Sequence, residues 1–356
     1  MSLKAGIVGL PNVGKSTLFK AITKKDVLAA NYPFATIEPN VGVVTVLDER
    51  VDFLKNLVQP EKTIYPTLEF IDIAGLVAGA SQGEGLGNRF LANIREVDVI
   101  CEVVRCFTDQ QIIHTSGQVN PLHDIEIIQT ELILADLEVV NNRLSKILKK
   151  PEDQPEVRLL QKIKDNLEQG ISLRNINLSE EEKTQIKHFN FLTLKKVVFV
   201  CNVDEVALFE QSQNVDEVQA YAKKENAEVI ILCAKLEVEL SEISDNETLL
   251  EDLGLKESGL DKLTKKVYQL LDLQTFFTVG KQEVRAWPFK RGLTAPECAG
   301  IIHSDFQKGF IKAEVISYQD FEKYQSEKAV QEAGKKRLEG KEYIVQDGDI
   351  CHFRFN

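Results

Sequence analysis

No two of the six cysteines (Cys101, Cys106, Cys201, Cys233, Cys298 and Cys351) form a CxxC pair or stand at any other metal-ligand spacing in this chain of 356 residues. That argues against a cysteine-held zinc, and Cys201 and Cys233, at the ends of apolar runs, read as reduced, buried thiols of a cytosolic protein. No run of about 18 apolar residues occurs, and the chain opens on LKAGIVGL, a strand pattern, instead of a basic leader and a long apolar core. The expectation is a cytoplasmic protein with no membrane partner. Positive charge is also short, with 43 Lys and Arg against 55 Asp and Glu and a net charge of −12. That balance does not suit a surface coated in nucleic acid, so no DNA partner is expected, and only local basic patches remain. There is no internal repeat and no low-complexity tract, and at about 150 residues per domain the length implies two or three units.

What is present is an alternation of short β-branched runs with helical segments. KAGIVGL, VGVVTV, TLEFIDIAG and VDVICEVV fall in the first 120 residues, and KKVVFVCN and AEVIILCAK fall after residue 194. Such alternation predicts an α/β domain with a mostly parallel sheet, assigned to 1–120 and 195–277. The interruption, 121–194, opens at Pro121 and carries Ile125, Ile128, Leu132, Ala135 and Val139 at spacings of three and four. Leu160, Ile163 and Leu167 repeat the stripe before Gly170, so the interruption reads as an inserted α-helical arm of coiled-coil character. From 278 to 356 short strands separated by Gly, Pro and Asp-Gly turns predict a small β-rich domain. It holds 13 Lys and Arg against 12 Asp and Glu, so the acid excess lies elsewhere and this end is the least repelled by RNA. Lys335, Lys336 and Arg337 are its candidate basic patch.

The most specific stretch is Gly9-Leu-Pro-Asn-Val-Gly14-Lys15-Ser16, the G-x-x-x-x-G-K-S pattern placed between a strand and a helix. Glycines let backbone N–H groups close around phosphates, a lysine neutralises the β and γ oxygens, a serine hydroxyl ligates Mg2+, and the helix N-terminus adds partial positive charge. Asn12, Val13, Gly14, Lys15, Ser16 and Thr17 are therefore the candidate phosphate-binding residues. Thr36, in NYPFATIEPN, is placed to reach Mg2+ and the γ-phosphate. Asp72 and Gly75, in D-I-A-G, supply a metal-bound water contact and an amide for the γ-phosphate. The metal set is Ser16, Thr36 and Asp72, and the catalytic set is Lys15, Thr36 and Gly75. Residues 76–90, with glycines at 79, 83, 85 and 87, read as a switch loop. Asn202, Val203 and Glu205, with Cys233 and Ala234 ahead of Lys235, close a base pocket at two strand ends.

Two positions depart from a guanine-specific hydrolase. Leu76 stands where Ras-type enzymes carry the Gln that orients water, so the catalytic help must come from elsewhere, and K+ held by Asn12 is one candidate. At Asn202 to Glu205 the chain reads NVDE in place of Asn-Lys-x-Asp, which weakens guanine reading without proving adenine. His114 and His123 read as ordinary polar or capping residues.

The motifs GLPNVGKST, NYPFATIEPN, DIAGLV with GASQGEGLGNRFL, VVRCF, HDIEIIQTELILADL and YIVQDGDICHFRFN resemble those of the Obg-like ATPases of YchF type, over essentially the whole chain. The resemblance implies a P-loop G-domain, a coiled helical arm and a C-terminal TGS domain of β-grasp-like fold. It implies Mg2+-dependent ATP hydrolysis with ATP and ADP favoured over GTP, and association with the ribosome, the large subunit in particular. RNA contact through the TGS domain and the arm is expected with it. Cys233 departs from the Ser more usual before Ala-Lys. Two other readings of the same residues stay open: a conventional translation-associated GTPase, and a nucleotide-gated ribosome- or RNA-binding module with incidental turnover.

Overall fold

The apolar run after Leu3 forms β1 (Lys4–Val8), and the glycine-bearing turn that follows ends at α1 (Lys15–Leu28). In the computed structural model, which describes residues 3–28, 40–73, 86–109, 119–147, 154–243 and 246–356, the chain continues through β2 (Val41–Thr45), α2 (Glu49–Val58), β3 (Lys62–Ile64), β4 (Thr67–Asp72), α3 (Leu86–Glu96) and β5 (Val99–Arg105). Next come α4 (Pro121–Ile147), α5 (Gln154–Glu168), α6 (Glu180–Ile186), β6 (Lys196–Asn202), α7 (Gln213–Lys224), β7 (Glu228–Leu232), α8 (Ala234–Glu242), α9 (Asn246–Asp252) and α10 (Gly259–Leu270). The last stretch holds β8 (Leu273–Val279), β9 (Glu283–Lys290), α11 (Ala295–Ile302), α12 (Ser304–Lys308), β10 (Phe310–Ser317), α13 (Tyr318–Tyr324), α14 (Glu327–Glu332), β11 (Arg337–Glu339) and β12 (Asp349–Phe355). Two units result: Met1–Val44 with Glu69–Leu263, and Thr45–Leu68 with Thr264–Asn356.

In the first unit the sheet runs β2-β4-β1-β5-β6-β7. β1 pairs in parallel with β4 and β5, and β5, β6 and β7 continue in parallel. Every residue of β5 is buried, and so is every residue of β6 after Lys196, which is why VICEVVR and VVFVC read as unbroken apolar runs with little alternation. β6 and β7 return to the same sheet after the long insertion. Parallel order lines up the carboxyl ends of β1, β4, β5, β6 and β7, the edge where open α/β sheets bind ligands.

The insertion is built on α4 and α5. Val140, Leu144 and Ile147 of α4 meet Leu160, Ile163 and Leu167 of α5 in one apolar cluster. α5 stops at Gly170, whose φ of 77° is open to glycine at little cost. Asp136, fully buried on α4, accepts from Leu192 N at 2.9 Å, Thr193 N at 2.8 Å and Thr193 Oγ1 at 2.7 Å, fixing the chain that leads back to β6.

The second unit has a mixed sheet ordered β11-β10-β12-β8-β9-β3. Strand alternation sends Phe276 and Phe277 to opposite faces. Phe276 packs with Ala295, Cys298 and Ala299 of α11, and Phe277 packs with Val51 and Leu54 of α2 and Phe321 of α13. This differs from the boundary expected at 278. β8 starts at Leu273, and the early segment Thr45–Leu68 supplies both α2 and the edge strand β3, which pairs in parallel with β9. Periodicity reports that a helix buries one face and not which sheet receives it, so residues 45–68 read as part of the first alternation. α3 also corrects the extent of the expected switch loop: residues 86–90 are helical, because Phe90, Leu91 and Ile94 share a buried face.

Candidate nucleotide-binding site

The turn from β1 into α1 has two residues at positive φ, Asn12 at 64° and Gly14 at 95°. Asn tolerates that region and Gly is free in it. Gly14 is also held by a neighbour: a Cβ there would lie 2.1 Å from Asn202 Nδ2. Asn202 closes off the end of β6, donating from Nδ2 to Val13 O at 2.9 Å and accepting at Oδ1 from Ala234 N at 2.9 Å. A donor and an acceptor on opposite sides fix the orientation of the amide. One side chain thus ties the phosphate-loop turn to the start of α8.

Around that tie lies a cavity of about 980 Å3, lined at one end by Asn12, Gly14, Lys15, Ser16 and Thr17 and at the other by Val203, Glu205, Cys233 and Ala234. The structure therefore brings together the sequence-predicted residues from β1, α1, β6, β7 and α8. Asp72, at the end of β4, accepts a hydrogen bond from Lys15 Nζ. Val203 is 2% exposed and donates its N–H to Leu232 O at 2.9 Å. Cys233 precedes α8 in extended backbone, and burial pushes its thiol up from the ordinary value. Thr36, Gly75, Leu76 and His114 lie outside the described residues. His123 is exposed in the first turn of α4, where its N–H meets Asn120 Oδ1 at 3.2 Å.

The base end differs from the simple expectation in two respects. Oδ1 of Asn202 is already bonded to Ala234 N–H and one amide N–H to Val13 O, so this side chain has its second N–H and one Oδ1 lone pair to offer a base. Glu205 is paired with Lys235, Nζ to Oε1 at 3.3 Å, which raises the lysine from its ordinary value chiefly through that hydrogen bond.

The chain matches a family described as 50S ribosome-binding GTPase over residues 4–161 and a YchF-GTPase C-terminal family described as a protein of unknown function over residues 273–356. It is 54% identical to the ribosome-binding ATPase YchF of Bacillus subtilis and 50% identical to that of Escherichia coli O157:H7, with all of each chain covered in both comparisons. The chain belongs to the YchF family. The solved structure of the Schizosaccharomyces pombe YchF GTPase agrees, with a TM-score of 0.91 at 37% identity over 99% of this chain and 98% of that one. The bacterial YchF proteins are named ATPases and the yeast one a GTPase.

Sequence reasoning missed one wall of this YchF site. Phe107, Thr108 and Asp109, which follow β5, line the cavity beside Pro11 and Asp204. The signal was available in the parallel order, because a strand next to β1 must deliver its carboxyl end to the same edge. No helix among the described residues is long and apolar enough to cross a membrane.

Proposed function

We propose that this YchF protein is a Mg2+-dependent ATP hydrolase that works as a nucleotide-driven switch on the ribosome. The observation that carries the reading is the single cavity in which a phosphate loop, Asn202 and Glu205 meet. Gly14 and Lys15 would receive the β and γ phosphates. Ser16 and Asp72 would hold Mg2+, with Thr36 joining them. A hydroxyl and a carboxylate suit a hard cation. These two donors would fit an ion whose remaining ligands are phosphate oxygens and water. Bound Mg2+ would neutralise charge developing on the transferred phosphoryl group.

Adenine over guanine is supported by the pairing of Glu205 with Lys235. A guanine reader needs its acidic side chain to accept from N1–H and the exocyclic amine. A carboxylate engaged by a lysine is a weaker acceptor for both, and it is a weaker repellent for adenine N1. Val203, short and buried, provides no lysine stem over the base. The ribosome as partner is supported by the names of the relatives, and Leu76 supports a slow intrinsic rate that rises with ribosomes or with K+ near Asn12. Calorimetry with ADP and GDP in Mg2+ tests the base assignment. ADP should bind at least as well as GDP, and a tenfold preference for GDP, about 1.4 kcal/mol, would make the protein a GTPase instead.

A further inference from the structure

Arg105, the last residue of β5, is 1% exposed. Removing a guanidinium from water costs several kcal/mol unless its hydrogens are used, and here part of that use is a short turn. Nε donates to Phe107 O at 3.4 Å and a terminal nitrogen donates to Asp109 O at 3.2 Å. Cζ stands 4.6 Å over the centroid of the Phe107 ring, a cation–π contact that occupies one face of the ring. The same turn is tied to β6 and to α7: Cys106 N donates to Asn202 O at 2.9 Å, and Asn214 Nδ2, in the first turn of α7, donates to Cys106 O at 3.3 Å. Phe107, Thr108 and Asp109 line the cavity, whereas Arg105 stands behind them.

We propose that Arg105 is a positioning residue for the nucleoside. It folds Phe107–Asp109 back from the end of β5 into a wall of the nucleotide cavity without touching the ligand. Two carbonyls drawn toward one planar guanidinium fix the turn at both ends, which is what a forked donor does and an ammonium does less well. Phe107 then presents at most its free face to a purine. The phosphate end is built by Gly14, Lys15 and Ser16 on another element. The proposal rests on the reading of the cavity as a nucleotide site, and a phosphate-only ligand separates the two.

The test compares wild type with Arg105→Met, Arg105→Lys and Phe107→Leu, each checked by circular dichroism and thermal unfolding. Each is titrated in Mg2+ by calorimetry with ADP and with inorganic tripolyphosphate. Arg105→Met and Phe107→Leu should weaken ADP at least tenfold while tripolyphosphate stays within twofold, and Arg105→Lys should fall between. An equal loss for both ligands would reduce Arg105 to a structural role, and unchanged ADP affinity would remove the wall. Either result overturns the proposal. If Arg105→Met does not fold, Arg105→Lys decides instead: weakened ADP with tripolyphosphate within twofold supports the proposal, and unchanged ADP overturns it. Wild-type protein that bound neither ligand would instead refute the nucleotide reading itself.

Discussion

Replacing Gly14 with Ala tests the phosphate loop and the Asn202 tie in one step. The new Cβ would be 2.1 Å from Asn202 Nδ2, where ordinary contact begins at 3.4 Å, so the amide must retreat by more than an ångström. Retreat breaks the bonds to Val13 O and from Ala234 N, each worth about 1 kcal/mol net. The backbone stays at a φ of 95°, which costs an L-residue about 1–2 kcal/mol. The sum is roughly 3–4 kcal/mol, and it falls on two loops and spares the sheet. If the loops bear it in the ligand-bound form, ADP affinity drops about 100-fold to 1,000-fold, at 1.4 kcal/mol per decade. The assay is titration with ADP alongside far-ultraviolet circular dichroism. Gly14→Ala protein that bound ADP within threefold of wild type, with an unchanged melting temperature, would refute the claim that Asn202 holds this turn.

Lys15→Ala should abolish nucleotide binding while the fold persists, since its described partner is Asp72 at the site and not a core group; near-normal ATP turnover would remove the phosphate-loop assignment. Glu102 is 1% exposed, and burial lifts its carboxyl to about 8. The folded state then holds a proton that the unfolded state releases near pH 4.5, so stability falls as pH rises from there toward 8. Glu102→Gln should raise the melting temperature more at pH 8 than at pH 5, and an equal effect at both would contradict a protonated Glu102. Asp136→Ala removes an acceptor from three buried donors and should cost roughly 3 kcal/mol, measured by urea unfolding. Lys336 is held by Glu314 and Glu327 at 2.7 Å each, and Arg337 by Asp349 at 3.2 Å. Charge reversal at either should therefore lower stability, while Lys335→Glu should not, and ribosome co-sedimentation at a stated salt concentration is informative for Lys335 alone.

The α/β alternation, the inserted helices and the phosphate loop were legible because each rests on local chemistry: period, glycine placement and residue type. Ile125, Ile128 and Leu132 are buried as their spacing required. Long-range polar choices were not legible. Asp136 lies in the stretch AD on a helix that also exposes acids, and nothing local says that it will meet Thr193, 57 residues on. Lys335-Lys336-Arg337 read as a basic run, yet two of the three are bound to acids brought in from β10, α14 and β12. Asn202 was expected at the base pocket and lines the cavity, but its bonds to Val13 and Ala234 depend on three strand ends meeting. Arg105 stood in VVRCF, one of the stretches that carry the family resemblance, but nothing local assigned the side chain a role.

The membership of α2 and β3 in the C-terminal unit has a consequence for biosynthesis. β3 pairs with β9, and α2 packs Val51 and Leu54 on a cluster containing Phe277 and Phe321, so both elements leave the ribosome roughly 200 residues ahead of the sheet that receives them. At about 5–20 residues per second that is a delay of roughly 10–40 seconds. During that time the nascent chain carries an amphipathic helix and an unpaired strand with no native surface to cover them. Moving residues 45–68 next to β9 by circular permutation would abolish the wait, and the refolding of the two arrangements would show how much of the folding time it sets.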